Sequence, residues 1–172
     1  FIFVDSRSPN AWVTEILPKR IFITSGLLNI VETVDETAFV LAHELSHLIL
    51  GHITRSNDLA LGLKTAEIVL LSLDPTYGVV AFLMIAVLDV IRRGIEASFS
   101  RDHEREADPL GLKIMASCGT FNVSSASKFL YRLHGMEGGA SLVRFLHTHP
   151  PSLERAREVY QEGERLRKQQ TR

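Results

Sequence analysis

A chain of 172 residues with 45% hydrophobic content can bury a sizeable core within one domain. Its formal net charge of −1, with no basic stretch interleaved with aromatics, excludes nucleic acid as a natural partner. Cys118 is the sole cysteine, so no internal disulfide can form and cysteine usage does not fix a compartment. The chain opens on Phe1 rather than Met, which predicts a fragment or processed form with any targeting or anchoring segment upstream of it.

Phe1-Ile2-Phe3-Val4 and Arg20-Ile21-Phe22-Ile23-Thr24 are β-branched and aromatic runs, with Asn10-Ala11-Trp12-Val13 between them and Pro9 and Pro18 as punctuation. They predict a small antiparallel sheet of two or three strands within residues 1–25. A short helix over Ser25 to Val31 is expected next.

Thr33-Val34-Asp35-Glu36 has the form of a capping box ahead of an apolar run, so a helix is expected over residues 33–52, fading near Gly51. It carries His43-Glu44-Leu45-Ser46-His47. Histidines four residues apart lie one above the other on a helix face, where both rings can reach one metal ion. Glu44 stands beside them as a general base, and His-Glu-x-x-His on a helix is the signature of a zinc metalloprotease. The bland reading is a solvated helix face. Against it, Ala38 to Ala42 before the motif and Leu48 to Leu50 after it are apolar, so the helix is expected to be buried and its polar groups to need partners. His52 lies five residues beyond His47, off the metal face, and reads as a surface histidine.

Residues 57–99 are the most apolar region. Asp74-Pro75-Thr76-Tyr77-Gly78 reads as a turn between two arms, neither of which reaches the 18 or so apolar residues that a spanning helix needs. The length criterion favours a helical hairpin packed in the core over one lying in a membrane interface. A separate helix is expected over residues 100–117, closing at Cys118-Gly119, with Pro109 set awkwardly inside it. Ser124 or Ser125 caps a further helix that ends at Gly135. The loop Gly135 to Gly139, the segment Leu142 to Leu146 and His147-Thr148-His149-Pro150-Pro151 follow, and a charged surface helix closes the chain. No repeat or linker divides it, so residues 1–172 read as a single domain.

A catalytic zinc needs a third protein ligand. The candidates lie in Ser100-Arg101-Asp102-His103-Glu104-Arg105-Glu106-Ala107-Asp108. Glu104 and Asp108 share a helix face, and Glu106 points roughly the other way. Glu104 can bind the metal while Asp108 takes the N–H of a ligating histidine. His103 is a rival ligand, and a solvated charged helix end is the plain alternative.

His43-Glu44-Leu45-Ser46-His47, followed by Ser100-Arg101-x-x-Glu104-x-x-Ala107-Asp108, resembles the zinc metallopeptidase family of the CAAX prenyl protease and the bacterial heat-shock protease HtpX. The resemblance extends to His149-Pro150 with Arg155 downstream, and to Asn10-Ala11-Trp12. It covers residues 3 to 160, and the Ala107-Asp108-Pro109-Leu110-Gly111-Leu112 stretch is most similar to the OMA-type branch of mitochondrial inner-membrane and bacterial periplasmic quality-control proteases. The resemblance implies an α+β, mainly α fold: a gluzincin-like metallopeptidase domain with a small antiparallel N-terminal sheet and a helical core. It implies one zinc ion per chain, held by His43, His47 and Glu104, with Asp108 behind the ligands. It also implies protein or peptide substrates, misfolded or membrane proteins among them, a membrane surface as a second partner, and a mitochondrial inner-membrane or bacterial envelope location.

The implied chemistry is peptide hydrolysis. Zinc acidifies a water to a pKa of about 7 and polarises the scissile carbonyl, and Glu44 takes the water's proton and passes it to the leaving amine. His149, held by Pro150-Pro151, is the candidate electrophile for the oxyanion. Its competing role is a fourth metal ligand that closes the resting site, and His147 is the alternative in either role. Arg155 anchors this loop on a carboxylate such as Asp108 or Glu106. Extended peptides add strands to sheet edges, and Pro9 suits an edge, so Asn10, Ala11 and Trp12 are the expected substrate-binding residues. Two rival functions stand beside this one: a zinc-binding, catalytically silent chaperone-like module, and a membrane-surface module built on the apolar hairpin. Glu44 argues against the first, because a purely structural site has no use for a carboxylate that is not a ligand.

Overall fold

A computed structural model of the chain describes residues 1–14, 18–71, 78–136, 149–150 and 152–170. Their elements run β1 (Ile2–Val4), β2 (Ala11–Thr14), β3 (Arg20–Thr24), α1 (Ser25–Leu28), α2 (Val34–Leu50), α3 (His52–Leu71), α4 (Gly78–Cys118), α5 (Ser124–Gly135) and α6 (Leu153–Gln170). The turn expected at 74–78 lies outside these residues except for Gly78, as do Leu142 to Leu146 and His147.

The fold is mainly helical with one small sheet, and the sheet is mixed where an antiparallel one was expected. Its order is β1-β3-β2. β2 runs antiparallel to β3, with Ala11 opposite Ile23, but β1 is parallel to β3, with Val4 opposite Thr24. The route of the chain explains this. After β1 the backbone crosses the end of β3, pinned by Gly26 N–H to Ser6 O at 2.8 Å and by Thr24 Oγ1–H to Ser8 O at 2.9 Å. β2 then runs back along the other side. A Cβ at Gly26 would lie 2.3 Å from Arg7 O, so a side chain there would block the crossing. Runs of three to five residues carry no signal that separates parallel from antiparallel pairing.

Thr33 caps α2, its side chain accepting from Glu36 N–H at 3.2 Å. The reciprocal half of the capping box is redirected. The Glu36 carboxylate accepts from Glu32 N–H at 2.7 Å and from both Arg132 Nη1 and Nη2 at 2.9 and 2.6 Å, which ties α5 to the start of α2. Gly51, left-handed with φ 66°, ends α2. α3 begins on the next residue. At the start of α5 the expected serine cap is absent: Val123 holds the cap position, and Asn122 Oδ1 accepts from Ser124 N–H at 3.0 Å.

The expected boundary near residue 100 does not exist. α4 continues through it and through Pro109 to Cys118. The shift from apolar to charged residues marks a change of surroundings and breaks no backbone hydrogen bond. Pro109 frees the carbonyl of Arg105, which is an exposed residue that water can reach.

The core lies where α2, α4, α5 and α6 meet, around Phe39, Leu112, Met115, Phe129, Leu133, Ala156 and Val159. Burying a side chain such as Phe129 stabilises the fold by about 1.5–3 kcal/mol. β2 and β3 pack on the far side of α2, with Val13, Ile21 and Leu48 forming a smaller cluster. Where the apolar hairpin was expected to pack in the core, several of its described apolar side chains are exposed. α3 packs on α4, but Leu61, Ile68 and Val69 of α3 and Leu83, Val87 and Val90 of α4 are exposed. A helix that is apolar all round can bury only one face against a single partner. No helix among the described residues is long and apolar enough to cross a membrane.

Candidate metal centre

α2 and α4 come close together at Gly111, where an added Cβ would lie 3.2 Å from His43 N and 3.3 Å from His43 Cα. That approach sets Glu104 and Asp108 of α4 against His43 and His47 of α2. The fourth contribution comes from His149, just before α6. His43 Nε2 lies 3.0 Å from His47 Nε2, 3.3 Å from Glu104 Oε2 and 3.3 Å from His149 Nδ1. His47 Nε2 is 3.2 Å from Glu104 Oε1, and His149 Nδ1 is 3.1 Å from the same oxygen. All four side chains are buried, with one donor atom from each within 4.8 Å of the others.

These separations bear on what the cluster can hold. Zinc bonds of about 2.0–2.1 Å in a tetrahedral site place neighbouring donors about 3.3–3.4 Å apart. The observed separations, 3.0–3.3 Å with one or the other Glu104 oxygen, lie at or just below that figure. A proton can bridge one pair of these atoms at a time, whereas a divalent cation satisfies every lone pair at once. Three imidazoles and a carboxylate suit zinc, so the residues fit the metal that the sequence implies.

The remaining groups hold the donors in place. His43 Nδ1 meets Asp108 Oδ1 at 2.9 Å. Arg155 grips Asp108 through Nε at 2.8 Å and Nη2 at 2.9 Å, and Nη1 reaches Glu104 Oε2 at 2.7 Å and Pro150 O at 3.1 Å. One buried guanidinium thus joins both carboxylates to the backbone next to His149. Of the two carboxylates expected for Arg155, the structure pairs it with Asp108.

Burial pushes up the Glu44 carboxyl, which touches His149 Nε2 at 3.2 Å. Burial opposes charge on Glu104 as well, but His149, Arg155 and His43 outweigh it and hold that carboxylate well below its usual range. Asp108 is lowered in the same way, with Arg155 and His43 prevailing over burial. The two histidines of α2 diverge. Burial disfavours the His43 imidazolium, yet Glu104 and Asp108 raise its pKa to about 10. Desolvation dominates at His47 and takes it down to about 3.

His52 overturns its expected place on the surface. It is buried, with Nδ1 2.8 Å from His47 Nδ1 and Nε2 3.2 Å from Glu106 Oε2. Counting residues along a continuous helix hid this contact. Gly51 interrupts that helix, and its left-handed backbone swings His52 back under His47; a Gly-His pair at a helix end was the available signal. His103, the rival ligand, is buried but stands outside the donor cluster, its ring stacked on His52 at 4.0 Å between centroids. Glu106 points away from Glu104 as expected, and pairs with Arg55 at 2.7 Å.

An open cleft of about 380 Å³ leads to the cluster, lined by Trp12, Val13, Glu44, His47, His52, Ile53, Ser56, Asn57, Ser100, His103, Glu104 and His149. Of the three expected substrate contacts, Trp12 lines it, stacked on Phe22 at 4.9 Å. Asn10 and Ala11 do not. Ala11 is fully buried in the core, since alternate residues of β2 face inward. Asn10 spends its backbone on Thr24, whose Oγ1 and N–H it meets at 2.8 and 3.0 Å.

Fold and site together define a helical protein whose α2 carries His-Glu-x-x-His and whose α4 turns a glutamate toward the two histidines. Residues 1–162 match Peptidase family M48, and the chain belongs to that family. It is 30% identical over 151 residues to the metalloprotease YcaL of Escherichia coli, covering 87% of this chain and 56% of YcaL. It is 33% identical over 162 residues to the mitochondrial metalloendopeptidase OMA1 of Schizosaccharomyces pombe, covering 91% of this chain and 44% of that protein. Against the metalloprotease LoiP of Escherichia coli it is 27% identical over 137 residues, 80% of this chain and 52% of LoiP. The chain thus spans about half the length of these relatives.

Proposed function

We propose that this chain is a zinc-dependent metalloendopeptidase domain acting on protein substrates. The observation that carries the reading is the buried donor cluster of His43, His47 and Glu104, with separations of 3.0–3.3 Å, beside the non-ligand carboxylate of Glu44. Zinc bound there supplies a Lewis acid that acidifies water and polarises a carbonyl. Glu44 accepts the proton of the attacking water and delivers it to the leaving amine, a role helped by its raised pKa. Asp108 fixes the His43 ring by taking its Nδ1–H, and Arg155 fixes Asp108.

For His149 the geometry favours the capping role over the oxyanion role. Its Nδ1 sits among the donors and its Nε2 contacts Glu44, so one ring occupies both the fourth ligand position and the base. Activity then requires His149 to move aside. Peptide binding is supported at β2, which forms one edge of the sheet and brings Trp12 and Val13 to the cleft. Membrane-linked quality control, in mitochondria or a bacterial envelope, extends the reading by way of the resemblance to the OMA-type branch.

The test compares wild type with Glu44→Gln for bound zinc and for cleavage of casein. Equal zinc in both, with cleavage falling about 10²–10⁴-fold in the variant, supports a peptidase with Glu44 as base. Zinc in both with cleavage in neither supports the closed His149 arrangement, and His149→Ala then gains activity. Absence of zinc from the wild type overturns the reading.

A further inference from the structure

We propose that His52 is a positioning residue that sets the tautomer of His47 and so aims its Nε2 lone pair into the donor cluster. The inference rests on the zinc reading above. It starts from three contacts in series. Arg55 Nη1 donates to Glu106 Oε2 at 2.7 Å, His52 Nε2 lies 3.2 Å from that oxygen, and His52 Nδ1 lies 2.8 Å from His47 Nδ1. A carboxylate gripped by a guanidinium is an acceptor only, so the proton between Glu106 and His52 belongs to His52 Nε2. A neutral His52 then has a bare Nδ1. Two bare nitrogens cannot approach to 2.8 Å, so His47 Nδ1 carries the proton and donates it. His47 Nε2 is left unprotonated, its lone pair facing Glu104 Oε1 at 3.2 Å, an approach of two acceptors that a bound cation between them would satisfy.

The two ligand histidines are thus set by different devices. His43 leans on a buried carboxylate, Asp108. His47 leans on a neutral ring whose polarity is imposed from the surface, because Arg55 and Glu106 are both partly exposed. The stack of His103 on His52, with ring planes 3° apart, keeps the intervening ring in orientation.

Zinc affinity, measured by chelator competition on the folded protein, separates this from a packing role. His52→Leu keeps the bulk but cannot accept, and its affinity should fall by about 10–100-fold. In His52→Gln the amide oxygen can accept from His47 and the amide nitrogen can donate to Glu106, so its affinity should stay within about threefold of wild type. Equal affinity in the Leu variant, or equal loss in both folded variants, overturns the proposal. A direct readout needs no variant: long-range proton–nitrogen correlation of histidine-labelled, zinc-loaded wild type should show His52 protonated at Nε2 alone. A proton on His52 Nδ1 overturns the inference while leaving the zinc site intact, whereas a wild type that binds no zinc overturns both.

Discussion

The two halves of α4 invert the ordinary rule for what a protein buries. Near its C-terminal end the helix hides His103, Glu104 and Asp108 beside Ala107, Leu112 and Met115, while nearer its start Leu83, Val87 and Val90 are 58%, 58% and 71% exposed. Glu104 and Asp108 are buried, while Arg101, Asp102, Arg105 and Glu106 of the same stretch are exposed, because these two carboxylates have partners inside: Arg155 serves both, and His43 faces Asp108. The exposed apolar side chains described nearer its start belong to a stretch whose neighbour is α3. What decides burial along this helix is the supply of partners, and composition alone points the wrong way.

The largest effect should come from removing the shared cation. Arg155→Leu leaves Glu104 and Asp108 buried beside each other without their guanidinium, and the metal-free protein should lose about 3–5 kcal/mol of stability in urea denaturation. A loss below about 1 kcal/mol would mean that the carboxylates are held by the histidines alone. Gly111→Ala comes next. A methyl group 3.2 Å from His43 N must push α4 from α2, at a cost of about 1–3 kcal/mol, and should weaken zinc binding with it.

The histidines sharpen the comparison through pH. The His43 pKa rises from 6.5 to about 10 on folding, so its imidazolium stabilises the metal-free fold fully below pH 6.5, and that contribution disappears as the pH rises through 10. His47 moves the other way, to about 3, so its contribution is present above pH 6.5 and is lost as the pH falls through 3. Zinc must displace the His43 proton. The gap in melting temperature between zinc-loaded and chelator-treated protein should therefore widen from pH 6.5 to 10, and a constant gap would show that His43 carries no proton in the metal-free site. The smallest effect belongs to the exposed half: Val87→Ser and Val90→Ser should each change stability by no more than about 0.5 kcal/mol. A larger loss would reveal that this face is covered. Liposome flotation with and without residues 59–99 would then distinguish a membrane as the cover.

Much of the site was legible because helical periodicity is a local property. The spacing of His43 and His47, the shared face of Glu104 and Asp108, the opposite direction of Glu106 and the capping by Thr33 all follow from residues close in the chain. The face that each helix turns to the donor cluster and the mainly helical fold were therefore determined by sequence alone. The approach of α2 to α4 at Gly111, the grip of Arg155 on two carboxylates, the seat of His149 among the donors and the parallel pairing of β1 with β3 join residues far apart in sequence. No local pattern encodes such contacts. His52 shows the boundary between the two kinds of information: its neighbour Gly51 was visible, but the reversal that carries the ring beneath His47 exists only when a left-handed residue and a packed α4 act together.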